Sequence, residues 1–197
     1  MKFVFKSAMF AVALGAISIG TLAQNTAPSP VINQRKDNQQ ERIGNGVENG
    51  SLTAGEATHL EKKETRINRE ENRMKSDGNF TAAERARIRN QQSHLSKQIY
   101  NQKHDAQVQN VNPKSEVGSR QREQQERIGQ GIKSGSLTPA EAARMENQEK
   151  HINREVARDR SANGGTLTPG ERAKVNHQQN KVSRHIYRQK HDAQTRH

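Results

Sequence analysis

The chain repeats itself, and that constrains its fold more than any other feature. Gln39-Gln40-Glu41-Arg42-Ile43-Gly44 returns as Gln124-Gln125-Glu126-Arg127-Ile128-Gly129, and Gly50-Ser51-Leu52-Thr53 returns as Gly135-Ser136-Leu137-Thr138, at an offset of 85. Ile67-Asn68-Arg69-Glu70 and Ile152-Asn153-Arg154-Glu155 keep that offset. Beyond Asn163-Gly164-Gly165 it becomes 87, where Ile99-Tyr100 and Gln102 to Gln107 match Ile186-Tyr187 and Gln189 to Gln194. A duplicated unit solves one packing problem twice, so comparing its copies separates interior from surface. Val47 pairs with Ile132, Leu60 with Met145, Phe80 with Leu167, Ile88 with Val175 and Leu95 with Val182. Apolar character is held while shape varies, as a packed interior requires. Polar positions drift: Glu48 against Lys133, Lys62 against Asn147, Asn101 against Arg188. Met74 against Asp159 breaks the rule beside the two-residue insertion, and predicts a rearranged corner there.

The start signals of the helices are equally repetitive. Thr53-Ala54-Gly55-Glu56, Thr81-Ala82-Ala83-Glu84, Thr138-Pro139-Ala140-Glu141 and Thr168-Pro169-Gly170-Glu171 all have the capping-box pattern. In it the threonine hydroxyl accepts from the N–H of the third helical residue, and the glutamate reaches back to the threonine N–H. Proline at the first helical position fits, because its missing N–H would have no partner there. A glycine three residues ahead of each threonine suits the end of the preceding helix. The expected fold is all-α, a tandem duplication of a three-helix module joined by capping-box turns. The expected organisation is a signal peptide over 1–23, a disordered lead over 24–37, module one over 38–107, a flexible linker over 108–122 and module two over 123–194.

The signal-peptide reading rests on Lys2 and Lys6, a short apolar run from Ala8 to Gly20, and Thr21-Leu22-Ala23 as a small-x-small cleavage site. It implies a bacterial periplasmic or secreted protein whose formal charge falls from +12 to +10 on cleavage, two lysines being lost. Three of the four phenylalanines leave with it, so Phe80, Tyr100 and Tyr187 are the mature aromatics. The apolar residues that remain are few. Leu, Ile, Val and Phe make up about 16% of the whole chain, below the roughly 20% at which disorder becomes a serious prior. Ala57, Leu60, Ile67 and Met74, then Ile88, Leu95 and Ile99, form a stripe interrupted by Glu64, Gln91 and Gln92. Marginal, extended helices are therefore expected rather than a rigid globule.

The turns resemble the second half of an EF-hand calcium loop, with Asp77-Gly78-Asn79-Phe80-Thr81 and Glu84 the nearest match. Calcium takes six to eight oxygens, and most loops here lack the early ligands. Only Asp159, Ser161 and Asn163 supply an acid, a hydroxyl and an amide in order, with Glu171 closing one residue late. A paired EF-hand-like shape without a cofactor is expected; the alternative is a degenerate calcium-responsive module that binds calcium at that loop. Leu52-Thr53-x-x-Glu56, Leu137-Thr138-x-x-Glu141 and Leu167-Thr168-x-x-Glu171 also resemble the Leu-Thr-x-x-Gln boxes of periplasmic Spy/CpxP-type chaperones. Glutamate replaces glutamine here and the boxes number four with the Phe80-Thr81 variant. That resemblance implies a helical, cradle-like dimer that holds unfolded proteins.

Charge suggests a different partner. Lys174, His177, Lys181, Arg184 and Arg188 recur at steps of three or four beside Val175, Val182 and Ile186. Such a face attracts envelope polyanions in a salt-sensitive way. Module one has Arg87, Asn90, His94, Lys97 and Asn101 at those places, a weaker stripe. Nucleic acid is poorly supported as a partner, since three aromatics build no stacking platform. The chain has no cysteine, and it carries no G-x-S-x-G turn, phosphate loop or zinc spacing. The sequence thus points to an exported, non-enzymatic binding protein, with an anionic envelope polymer as first partner and an unfolded protein as second.

Overall fold

The computed structural model describes residues 29–109, 112 and 114–196. The signal peptide and the first residues of the lead lie outside them. Six helices follow one another: α1 (Pro30–Asn49), α2 (Ala54–Lys75), α3 (Ala82–Lys103), α4 (Glu116–Ser134), α5 (Pro139–Ala162) and α6 (Pro169–Lys190). Each module is three helices, as the duplication requires.

All four capping boxes form. Glu56, Glu84, Glu141 and Glu171 each accept from the threonine N–H at 2.8–2.9 Å, and each glutamate N–H donates to the threonine hydroxyl in return. The first helix of each module ends on a glycine in the left-handed region, Gly50 and Gly135, both at φ 74°. Next to that turn, Leu52 and Leu137 donate their N–H to the carbonyls of Gly46 and Gly131 at 2.9 and 3.0 Å. Their side chains cover those glycines so closely that a Cβ there would stand 2.7 and 2.6 Å from leucine carbons. The turn is therefore locked by packing as well as by its cap.

Two boundaries differ from expectation. α1 begins at Pro30, inside the stretch read as a disordered lead, and buries Ile32. α4 begins at Glu116, inside the stretch read as a linker, where Ser115 accepts from the Gly118 N–H at 3.1 Å and Val117 is buried. Ile32 and Val117 stand 85 apart; the repeat extends further than its identities, because one buried aliphatic residue suffices to hold the extra turns. It extends at the other end too. Gln109 and Arg196 donate their N–H to the Gly50 and Gly135 carbonyls, so each module closes on its own first turn. The corner at Met74 and Asp159 does differ: α5 runs on to Ala162, and Gly164 and Gly165, both at positive φ, make the longer turn.

The modules are not extended pairs of helices. α1 packs on α4 and α2 on α5, while α3 covers α1 and α2 and α6 covers α4 and α5. One hydrophobic cluster runs from Ile32 to Ile186 through both modules. A thin apolar stripe suffices because each module buries the other's. The α1–α4 crossing is made by Gly44 and Gly129, where a Cβ on either would come within 2.8 or 2.7 Å of the other's carbonyl oxygen. Lys133 bridges to Glu48 at 2.6 Å beside it. α2 and α5 run antiparallel: Gly55 abuts Lys150, and Arg69 shares a groove with Ala140.

Buried glutamines stitch the interior identically in both modules. Gln39 donates to the Gln92 carbonyl at 2.6 Å, and Gln124 to the Gln179 carbonyl at 2.7 Å. Gln92 and Gln179 in turn donate to the Ile32 and Val117 carbonyls, both at 2.9 Å. Gln40 donates to Glu61 and Gln125 to Glu146, both at 3.1 Å. The amide nitrogens thus have defined partners, while the Oε1 atoms of the same six glutamines are buried without a donor among the described residues.

Candidate polyanion-binding face and the carboxyl seam

The helical periodicity of α6 puts Val175, Val182 and Ile186 in the core and leaves Lys174, His177, Lys181, Arg184 and Arg188 exposed. At 100° per residue those five lie within about 80° of arc, so the sequence-derived set forms one face. Lys174, itself exposed, is tied to the half-buried Glu155 at 2.7 Å. Lys181, Arg184 and Arg188 have no carboxylate within salt-bridge distance among the described residues. Their field is felt nearby: burial first, then Arg188, Lys181 and Arg184, hold the His185 imidazole below its ordinary pKa. The corresponding face of α3 is weaker, as expected, and its Arg87 is taken up by Glu70 at 2.6 Å.

In the Asp159 loop the four expected ligands have these surroundings. Arg158 binds the Asp159 carboxylate at 2.8 Å, and Ser161 is exposed. Asn163 and Glu171 are brought together, but Asn163 Nδ2 donates to both Glu171 oxygens, at 3.0 and 2.9 Å. Glu171 also serves the Thr168 cap, and those hydrogen bonds lower its pKa. Among the described residues no group of three His, Asp or Glu side chains is placed to hold a metal ion. At the end of each module a tyrosine stacks on a histidine, Tyr100 on His104 and Tyr187 on His191, with ring centroids 4.2 and 4.3 Å apart. Each histidine Nδ1 lies 2.7 or 2.6 Å from the tyrosine carbonyl one turn back. Both tyrosines are exposed.

The residues that sequence reasoning passed over are acids. Glu61 and Glu64 on α2, and Glu146 and Glu149 on α5, are fully buried. Neither oxygen of Glu64 or of Glu149 meets a hydrogen-bond donor among the described residues. Burial pushes the Glu61 and Glu146 carboxyls up to about 8 and Glu64 to about 7, and Glu149 well above the ordinary range. Beyond burial, the Gln40 hydrogen bond lowers the Glu61 pKa, while Glu64 and then Glu146 of the facing helix raise it. Glu71, also buried, is instead paired with Lys36 at 3.3 Å and with Lys75. A signal was present: Glu61 and Glu64 recur as Glu146 and Glu149 in a chain whose exposed polar positions drift. Where those four carboxyls hold their protons, the net charge exceeds the formal +12 by up to four units. Four acids are thus withdrawn from the surface charge.

Compared with known proteins, the chain matches no protein-family model, no curated protein and no solved structure. The resemblances to EF-hands and to Spy/CpxP-type chaperones therefore rest on the capping turns alone.

Proposed function

We propose that the chain is an exported, non-enzymatic helical repeat protein that binds an anionic envelope polymer through its basic helix faces. The observation that carries this reading is the α6 face, where five basic or imidazole side chains are all exposed and three cations stand free of carboxylates. The leader-like start supports export, and the inward placement of four acids supports a surface more positive than composition implies. The chaperone-like alternative needs apolar surface for its clients. Among the described residues the exposed large hydrophobic side chains are Val31, Tyr100, Val108 and Tyr187, on separate parts of the chain, so the polyanion reading is favoured.

The test is retention of the processed chain on an immobilised polyanion under a salt gradient. Elution before about 0.5 M salt is expected, where the screening length is only about 4 Å. Replacing Lys181, Arg184 and Arg188 by alanine should move elution to lower salt. Retention that survives that salt concentration, or that ignores the triple substitution, contradicts the reading. Suppression of client aggregation at stoichiometric amounts, unaffected by salt, would favour the holder instead.

A further inference from the structure

The α2–α5 seam has a second, outward side. Lys62, Arg66 and Arg69 of α2 and Arg144 of α5 line a groove of about 390 Å³ together with Asn147, and Ala140 and Ala143 form the small-residue wall opposite α2. All four cations are exposed, none is in an ion pair among the described residues, and no carboxylate lines the groove. The acids of both helices are disposed elsewhere: Glu61, Glu64, Glu146 and Glu149 are buried, Glu56 and Glu141 cap their helices, and Glu70 is held by Arg87. Four like charges gathered without a counter-charge repel one another, and an anion between them relieves that repulsion.

Spacing defines the anion. Lys62, Arg66 and Arg69 are one turn and then one turn apart, spanning about 10 Å of helix at 1.5 Å per residue. Arg144 approaches from the facing helix, so charge comes from both walls. A row of that length fits two or three adjacent phosphate groups better than one, and guanidinium forks suit phosphate oxygens. The Asn147 amide also lines the groove and can donate there. The positive field reaches His59: burial first, then Lys63, Arg66 and Lys62, lower its pKa. The duplication supplies an internal contrast, because the positions related to Lys62, Arg66, Arg69 and Arg144 are Asn147, His151, Arg154 and His59. Thr65 and Asn147, which also line the groove, are related to Lys150 and Lys62, so the counterpart positions carry three permanent cations and two imidazoles against four permanent cations here.

The geometry points to a discrete site in the Lys62–Arg66–Arg69–Arg144 groove for a compact anion carrying two or three adjacent phosphate groups. It is separate from the α6 face and is built by both modules together. Calorimetric titration of the processed chain with tripolyphosphate should show one saturable site per chain. The double variant Arg66→Ala/Arg69→Ala should weaken it at least tenfold while leaving helix content by circular dichroism unchanged, since both side chains are exposed. The variant Lys181→Ala/Arg184→Ala should leave this affinity within twofold while lowering retention on the immobilised polyanion, so failure of the groove and failure of the α6 face are read separately. Competition by phosphatidylglycerol vesicles that the Arg66/Arg69 variant abolishes assigns the phosphates to a membrane surface. Its absence assigns them to a soluble or polymer-borne phosphate. No saturable binding at low salt, or equal binding by the Arg66/Arg69 variant, overturns the proposal.

Discussion

The two modules differ in where they have been free to change. Inside, Gln39, Gln40, Glu61, Glu64 and Gln92 recur as Gln124, Gln125, Glu146, Glu149 and Gln179, and the four glutamine-to-carbonyl and two glutamine-to-glutamate hydrogen bonds recur with them. Outside, module two has a continuous basic face on α6 where module one has a broken one on α3. On the central pair the bias reverses: α2 supplies Lys62, Arg66 and Arg69 where α5 supplies Asn147, His151 and Arg154. Packing around a shared seam fixes one set of residues, and solvent leaves the other open to divergence in charge. Duplication thus produces a nearly symmetric interior carrying an asymmetric surface.

The buried acids allow the largest test of that contrast. Glu61, Glu64 and Glu146 have folded-state pKa values of about 8, 7 and 8 against 4.5 ordinarily. The native state therefore holds protons that the unfolded chain releases above about pH 4.5. Stability is highest below that pH and falls as pH rises toward 8, by up to about 1.4 kcal/mol per pH unit for each group. The unfolding free energy from urea titration should drop by several kcal/mol between pH 5 and pH 8, and the double variant Glu61→Gln/Glu146→Gln should flatten the slope. His59 and His185, held below their ordinary pKa and only partly buried, act weakly in the opposite sense below about pH 6.5. A midpoint that rises with pH through this interval would show the seam to be differently built.

Next in size is core truncation. Ile43 and Ile128 occupy equivalent places on α1 and α4, both without exposed surface. Ile43→Ala and Ile128→Ala should each cost about 2–5 kcal/mol, and the two values should agree closely in chemical denaturation. Unequal losses would break the claim of a symmetric interior. Cap removal comes third. Thr53→Ala or Thr138→Ala should cost about 1 kcal/mol, and Thr168→Ala less, because its box is exposed. Smallest in stability is Lys181→Ala/Arg184→Ala, within about 0.5 kcal/mol. That variant should nonetheless lose polyanion retention, whereas Arg87→Ala/Lys97→Ala on α3 should lose less.

Much of this fold is written locally. The four threonine–glutamate boxes announced the starts of α2, α3, α5 and α6, and the paired aliphatic positions named the core. The α6 face was equally legible, because a stripe at helical spacing beside an apolar seam can only point outward. Partnership between helices was not. Periodicity tells which face of α1 is apolar but not that α4 covers it, and Gly44 and Gly129 read as ordinary glycines until two backbones meet there. Glu61 and Glu146 sit beside Leu60 and Met145 in a charged chain, where a carboxylate is by default a surface residue; only their shared burial reveals them. The α2–α5 groove was out of reach for the same reason, its two walls coming from different modules. The early starts of α1 and α4 were hidden because each extra turn is anchored by one aliphatic residue, Ile32 or Val117.

The central claim is that the two modules bury each other and fold as one body. Native-state hydrogen exchange on the Gly44→Leu variant tests it most directly, since a side chain there meets the Gly129 carbonyl and Lys133 at the α1–α4 crossing. Overpacking of this kind costs about 1–3 kcal/mol or more. Protection should fall together in α1–α3 and in α4–α6, although the substitution lies in module one. Loss confined to α1–α3, with α5 and α6 protected as before, would contradict the account.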